Sequence, residues 1–308
     1  MGGREPAGPP PLFEPPTPTA VPPVELHHAH SWDVSPTEAV AIQRELAPLV
    51  TEAPIDFDGL RTVAGLDVSV RDDRVRAAVV VYDVRAKAVV DQAIWEGPTP
   101  FPYVPGLLSF REVPAILPAL EQLDALPDLY MLDAQGYAHP RRFGLACHLG
   151  VLLAAPALGV AKSILVGRHE PLAEARGSAQ PLVHKGETVG LALRTRENVK
   201  PVFVSVGHRV TLRDAGRLAL RLAERWKLPQ PTHLAHRLSY RGELYWMGDR
   251  QAAPSEFLPP LVRPRPPRWL SRPTHRGGLP RPLPGGTRLH PVFPVLRPGN
   301  CDPADSPR

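Results

Sequence analysis

The chain of 308 residues has only two cysteines, Cys147 and Cys301. So few cannot build a disulfide framework, and their separation is not that of a thiolate metal site, which fits a reducing compartment. No run of 18 or more apolar residues occurs, so no membrane-spanning helix is expected. The apolar stretch 145–160 is broken by His148 and Pro156 and reads as a buried helix followed by a strand. A basic segment followed by 7–15 apolar residues is missing from the N-terminus, so no secretory signal is expected and the protein is assigned to the cytoplasm. No internal repeat is visible. Most of the chain also lacks an excess of either charge. The formal net charge is +5, but residues 251–308 hold 9 arginines against 3 acidic residues, leaving 27 basic and 28 acidic residues in 1–250. Bulk charge therefore gives no reason to expect a nucleic-acid partner for the folded part; local clustering would have to supply one.

Proline is abundant, with 41 residues, of which 9 lie in 1–30 and 15 in 251–308. Proline fixes φ and removes a backbone donor, so segments this rich in it build neither helices nor sheet ladders. The expected organisation is a Pro-rich disordered extension over 1–30, a folded domain over 31–242, and a Pro/Arg-rich disordered tail over 243–308 that reads first as a solvated linker with no role and otherwise as a source of salt-sensitive attraction to phosphate. A hydrophobic content of 43% supports a sizeable core.

Within the central part, Ser35, Pro36 and Glu38 form a helix start, followed by a partial apolar stripe of Val40, Ile42, Leu46 and Leu49. Three β-rich runs, 62–70, 75–82 and 88–95, are joined by short polar turns and predict an antiparallel meander. Residues 106–123 carry apolar residues at helical spacing, interrupted by Pro114 and Pro118, and predict a helix with an irregular first turn. A short strand at 128–133, a helix at 144–154 and a strand at 157–161 follow, then strands at 186–194 and 201–206. The spacing predicts an amphipathic helix over 211–226 and a last helical segment over 234–240. A meander followed by alternating helices and strands predicts an α/β fold with one mixed sheet, antiparallel then parallel, flanked by helices.

Three acids fall where such a sheet would gather them: Asp67 inside the first strand, Glu112 on the first turns of a helix, and Asp133 at the carboxyl end of a strand. A charge inside the apolar run VAGLDVSV is costly unless it is paired or binds a cation. A structural, salt-bridged Asp67 is the competing reading. Carboxylates converging in this way suit Mg²⁺, with Mn²⁺ as a substitute, and such ions serve phosphodiester cleavage. Fold order and acid placement resemble the RNase H-like superfamily.

A sharper resemblance is carried by AGLDVSV, FPYVPGLLSFRE, LDAQGYAHPRRFGLACHLGV, GVAKS, KPVFVSVGHRVTL and LPQPTHLAH, which follow one another in the order of the endonuclease V family. The resemblance implies that Asp67, Glu112 and Asp133 bind the metal and that His236 completes the site. It also implies that Lys162 holds the scissile phosphate or stabilises developing charge. Without it, His236 reads as a surface helix residue and Lys162 as a strand-end lysine. Pro102, Tyr103, Val104 and Pro105 resemble the family's strand-separating wedge, where a stiff loop and an aromatic face replace stacking lost on base extrusion. Backbone around Gly106, Leu108, Gly144, Leu145 and Ala161 is expected to hold the flipped base.

The activity so implied is a monomeric, Mg²⁺-dependent DNA-repair endonuclease. It would recognise deoxyinosine, the product of adenine deamination, and hydrolyse the second phosphodiester 3′ to it, leaving 3′-hydroxyl and 5′-phosphate ends. An inosine-specific ribonuclease and an inosine-binding homologue with weakened turnover are the alternatives, and inosine-containing RNA or single strands the alternative substrates. His139, Arg141 and Arg142 read either as neighbours of the site or as a solvated loop; Cys147 and His148 read as core; Arg213, Arg217, Arg221 and Arg225 read as a solvated face. Two departures from the family stand out. Ala134 replaces the glycine that usually follows the strand-end acid, and if that position needs a positive φ the alanine costs roughly 1–2 kcal/mol and displaces Asp133. Val70 stands where an aromatic is common.

Overall fold

A computed structural model of the chain describes residues 24–242. The expected tail, Cys301 and residues 1–23 lie outside that range. The described elements are α1 (Pro36–Leu46), β1 (Thr62–Arg71), β2 (Arg74–Asp83), β3 (Ala88–Pro98), α2 (Leu108–Leu120), β4 (Leu129–Leu132), α3 (Leu145–Leu153), β5 (Ala157–Ala161), β6 (Ala179–His184), β7 (Glu187–Leu193), β8 (Val202–His208), α4 (Leu212–Leu222) and α5 (Gln230–Arg241). The eight strands form one sheet in the order β3-β2-β1-β4-β5-β8-β7-β6. β1, β4 and β5 run parallel, and the other neighbours are antiparallel. This is the mixed, helix-flanked sheet of the RNase H-like fold.

The two faces of the sheet have separate cores. Side chains of β1 to β5 pointing one way, among them Leu66, Val79 and Leu132, pack with Ile116 and Leu120 of α2 and Leu149 of α3. Those pointing the other way, including Val63, Met131 and Val160, pack with Leu218 and Leu222 of α4, while Ala78 and Val80 meet Ala235 and Leu238 of α5. α2 begins only at Leu108, after a turn at 105–106, in keeping with the irregular first turn expected, and it runs for 13 residues through Pro114 and Pro118 with everything from Val113 to Leu120 buried. Burial on that scale outweighs two missing backbone donors.

Three expectations need revision. The Ser35 capping box forms, with the Ser35 side chain accepting from the Glu38 N–H. Yet the buried face of α1 is Ala39, Gln43 and Leu46, while Leu49 is exposed. β6 was not expected, because Pro181 sits inside it; it is the last strand of the sheet, where a missing N–H costs no ladder bond. Residues 24–30, grouped by composition with the extension, lie against the domain: the His27 N–H donates to Leu152 O at 2.7 Å, and His30 Nε2 is 2.7 Å from His148 Nε2.

Candidate active site

Strand alternation and parallel pairing bring three of the predicted site side chains to one place. Leu66 pairs with Leu132, and Leu132 pairs with Gly159, so Asp67 and Asp133 stand side by side one residue further along. The Asp133 N–H extends the ladder by donating to Leu66 O at 3.0 Å. Side chains alternate faces along a strand, so Asp67 follows Val63, Asp133 follows Met131 and Lys162 follows Val160 onto the face covered by α4 and α5. Lys162 Nζ lies 2.5 Å from Asp133 Oδ2. The site thus sits where the parallel strands deliver their carboxyl ends, the usual position for a ligand in an α/β sheet.

α5 brings the next groups. A Cβ on Gly65 would fall 2.1 Å from the Pro231 carbonyl, so only glycine lets the start of α5 rest directly on β1. Two residues along the same face, Asp67 Oδ2 faces His236 Nδ1 at 3.2 Å and accepts a hydrogen bond from Ser239 Oγ. Ser69 Oγ in turn donates to Ser239 O at 2.7 Å. His236 Nδ1 also lies 3.3 Å from Lys162 Nζ and 4.0 Å from Asp133 Oδ2. Ser239 was missed by sequence reasoning, although its position three residues after His236 puts it on the same helix face.

Asp67, Asp133 and His236 each offer a ligand atom, all within 4.8 Å of one another. Glu112, expected as a third metal-binding acid, is not part of this tight group. It comes from α2 on the opposite side of the sheet, and as a residue it keeps some surface. Its carboxyl group is enclosed and held well above the ordinary carboxylate range, first by burial and then by the charges of Asp67 and Asp133. Burial likewise pushes Asp133 up to about 6 against the pull of Lys162, while its hydrogen bond with Asp67 raises His236. Asp133 Oδ2 is buried without an aligned hydrogen bond, its nearest compensation being the Lys162 ammonium. Carboxylates that repel one another in an enclosed site, with Asp133 Oδ2 lacking an aligned hydrogen bond, are what a hard divalent cation satisfies, so the donor set fits Mg²⁺ or Mn²⁺.

Ala134 does not carry the strain anticipated for it. It is absent from the described residues with positive φ, and it is buried in the α2/α3 core. Its side chain therefore contributes packing and gives no reason for Asp133 to move.

Phe101 anchors the loop before α2 in a cluster with Ala39, Leu107 and Phe110. Between these anchors Pro102 and Pro105 are exposed, Val104 is half-buried and Tyr103 is 68% exposed, with the Arg111 guanidinium 5.8 Å from its ring centre. Residues 104–107 make a type II turn. Pro105 takes its second position, Gly106 at φ +80 its third, and the Leu107 N–H closes it on Val104 O at 2.9 Å. Among the residues expected around the base, Gly144 is the N-cap of α3, and Leu145 and Ala161 are buried in different core clusters; Leu108 is half-buried. The solvated-loop reading fails for 139–142. His139 is buried, Arg141 is half-buried against Gly106, and Arg142 pairs with Glu187 at 2.7 Å while donating to His139 O. Cys147 and His148 are fully buried, and Arg213, Arg217, Arg221 and Arg225 are all exposed, the solvated face expected of them. Among the described residues, no helix is long and apolar enough to cross a membrane.

The family model described as Endonuclease V matches residues 44–237, more than half of the chain. The endonuclease V of Trichormus variabilis is 46% identical over 218 residues, covering 70% of this chain and 99% of that protein. Among solved structures, the Streptomyces avermitilis endonuclease V superposes with a TM-score of 0.66 at 45% identity, over 72% of this chain and 97% of the other. Human ENDOV superposes with a TM-score of 0.62 at 33% identity, over 68% and 98% respectively.

Proposed function

The chain belongs to the endonuclease V family, and on that premise we propose that it is a Mg²⁺-dependent repair endonuclease directed at deoxyinosine in DNA. It hydrolyses the second phosphodiester 3′ to the lesion and leaves 3′-hydroxyl and 5′-phosphate ends. The observation that carries the reading is the convergence of Asp67, Asp133 and His236 within 4.8 Å beside the enclosed carboxyl of Glu112 and the ammonium of Lys162. The catalytic unit is residues 31–242 with 24–30 packed against it, acting as a monomer in the cytoplasm.

In this reading Asp67, Asp133 and Glu112 hold the cation. When bound, it supplies Lewis acidity, lowering the pKa of water and neutralising charge on the leaving oxygen. Asp67 keeps a proton on His236 Nδ1 and so fixes the imidazole, while Ser239 fixes Asp67. Lys162 turns its ammonium from Asp133 toward the scissile phosphate and offsets charge that grows in the transition state. Pro102, Tyr103, Val104 and Pro105 enter the duplex, the exposed Tyr103 ring taking the place of the departing base in the stack. The extruded base is read by main-chain groups around Gly106, Leu108, Gly144, Leu145 and Ala161, which distinguish the 6-oxo and N1–H edge of hypoxanthine from adenine.

The test is incubation with Mg²⁺ and labelled duplexes that carry a single inosine or a normal A·T pair, beside Asp67→Ala. Nicking of the inosine duplex alone, lost in Asp67→Ala, is expected. Equal cutting of both duplexes overturns the substrate assignment, and binding of inosine DNA without a nick points instead to the weakened homologue.

A further inference from the structure

Gln43 is one of the few polar side chains in the core, 1% exposed on the inward face of α1. Its amide is fully engaged by backbone and side chain far away in sequence. Nε2 donates to Gly106 O at 3.0 Å and to Phe143 O at 3.1 Å, and Oε1 accepts from Arg141 Nε at 2.6 Å. Arg141 closes the ring by donating from its terminal nitrogen to the same Gly106 O at 2.6 Å. His139 adds a third donor: its Nδ1 accepts the Arg141 N–H at 3.2 Å, so the ring proton is on Nε2 and points at Gly106 O, 3.0 Å away. Burial and Arg141 lower His139 to about 4, which keeps it in this neutral form.

The carbonyl so held belongs to the third residue of the type II turn, between the exposed Tyr103 loop and the helix carrying Glu112. The second carbonyl bound by Gln43, Phe143 O, precedes Gly144, the N-cap of α3. One amide nitrogen therefore sets the spacing between two backbone segments, one leading into α2 and the other into α3. A Cβ at Gly106 would lie 2.8 Å from the Arg141 guanidinium, so the ring also closes tightly around the turn.

We infer that Gln43 is a positioning residue for lesion recognition. Through its bonds to Gly106 O and Phe143 O it fixes, before DNA arrives, the distance between the two main-chain walls that receive the extruded base, with Arg141 and His139 as its braces. This inference rests on the proposed function, because it takes the base to lie between those walls. A site held open at the right width loses less freedom on binding, which appears as affinity for the lesion and leaves the metal-bound chemistry alone.

The test compares wild type with Gln43→Met, which keeps the length of the side chain but removes its donors and acceptor, and with Gln43→Glu, which keeps the acceptor facing Arg141 and removes both donors. Amide hydrogen exchange without DNA reads the tether itself. In both variants, exchange over 101–107 and 140–144 should rise at least about tenfold while the β1–β2 meander is unchanged; unchanged protection of both segments overturns the inference. Single-turnover nicking with Mg²⁺ reads the consequence. The DNA concentration at half-maximal rate should rise at least about tenfold for an inosine duplex, with the saturating rate within about threefold of wild type. A fall in the saturating rate at unchanged half-maximal concentration would also overturn it. A wild type that ignores inosine refutes the function above, while the exchange result still decides whether Gln43 holds the two segments.

Discussion

Replacing Asp133 with asparagine should make the metal-free protein more stable while removing its activity. Asp133 lies on the α4/α5 face with a 6% exposed side chain, and burial raises it to about 6 from an ordinary 3.8. Below pH 4 the carboxyl is protonated in both folded and unfolded chains and costs nothing. Between pH 4 and 6 the folded state binds the proton more tightly, so stability falls as pH rises, and above 6 the loss is complete. The gap between 3.8 and about 6 corresponds to about 3 kcal/mol. The carboxamide of the variant is close in shape to the protonated acid and carries no such cost. In EDTA at pH 8, Asp133→Asn should therefore melt up to about 6–12 °C above wild type, from roughly 2–4 °C per kcal/mol in a domain of this size. The gain should shrink as pH falls toward 5. Added Mg²⁺ should raise the melting temperature of wild type and leave the variant almost unmoved, because binding to the folded state alone stabilises by mass action. Scanning calorimetry at pH 5 and 8, with and without Mg²⁺, checks all three. A variant less stable than wild type at pH 8 in EDTA would refute the reasoning, since it would mean that the Lys162 pair more than offsets desolvation.

Ser239→Ala removes the hydroxyl that fixes Asp67 and should weaken Mn²⁺ binding by about 10–100-fold, measured by calorimetric titration, with a smaller effect on melting. Gly65→Ala drives a methyl into the Pro231 carbonyl, costing roughly 1–3 kcal/mol and displacing His236. Nicking should then fall by more than the loss of stability explains. Ala134→Gly should leave the nicking rate within about threefold of wild type and lower stability by roughly 0.4–1 kcal/mol through unfolded-state entropy, because Ala134 is not held at positive φ. Removing 251–308 should weaken binding to inosine-free duplex at low salt and have no effect at high salt; equal binding at both leaves the tail without a role in DNA contact.

The sheet was legible because its strands alternate or run apolar at lengths that only strands satisfy, and Asp67 was legible because a charge inside such a run needs a reason. Ser239 and Gln43 were not, although each has a local signal. Ser239 shares a helix face with His236. Gln43 lies four residues from Ala39 and three from Leu46, on the inward face, but its neighbours Val40 and Ile42 are apolar and drew the stripe away from it. What each bonds to, Asp67 from 172 residues away and Gly106 from 63, is set by the tertiary fold and has no trace in local pattern. β6 stayed hidden because Pro181 argues against a strand wherever strand position in the sheet is unknown. The concern over Ala134 came from assuming a backbone conformation that only coordinates can supply.

The central claim is that this metal-binding group serves inosine-directed strand cleavage, and mapping the nick at single-nucleotide resolution tests it most directly. With Mg²⁺ and an end-labelled duplex carrying one inosine, a single cut is predicted at the second phosphodiester on the 3′ side, leaving a 3′-hydroxyl that a polymerase extends. Cutting spread over other positions, or equal cutting of the matched A·T duplex, would contradict it.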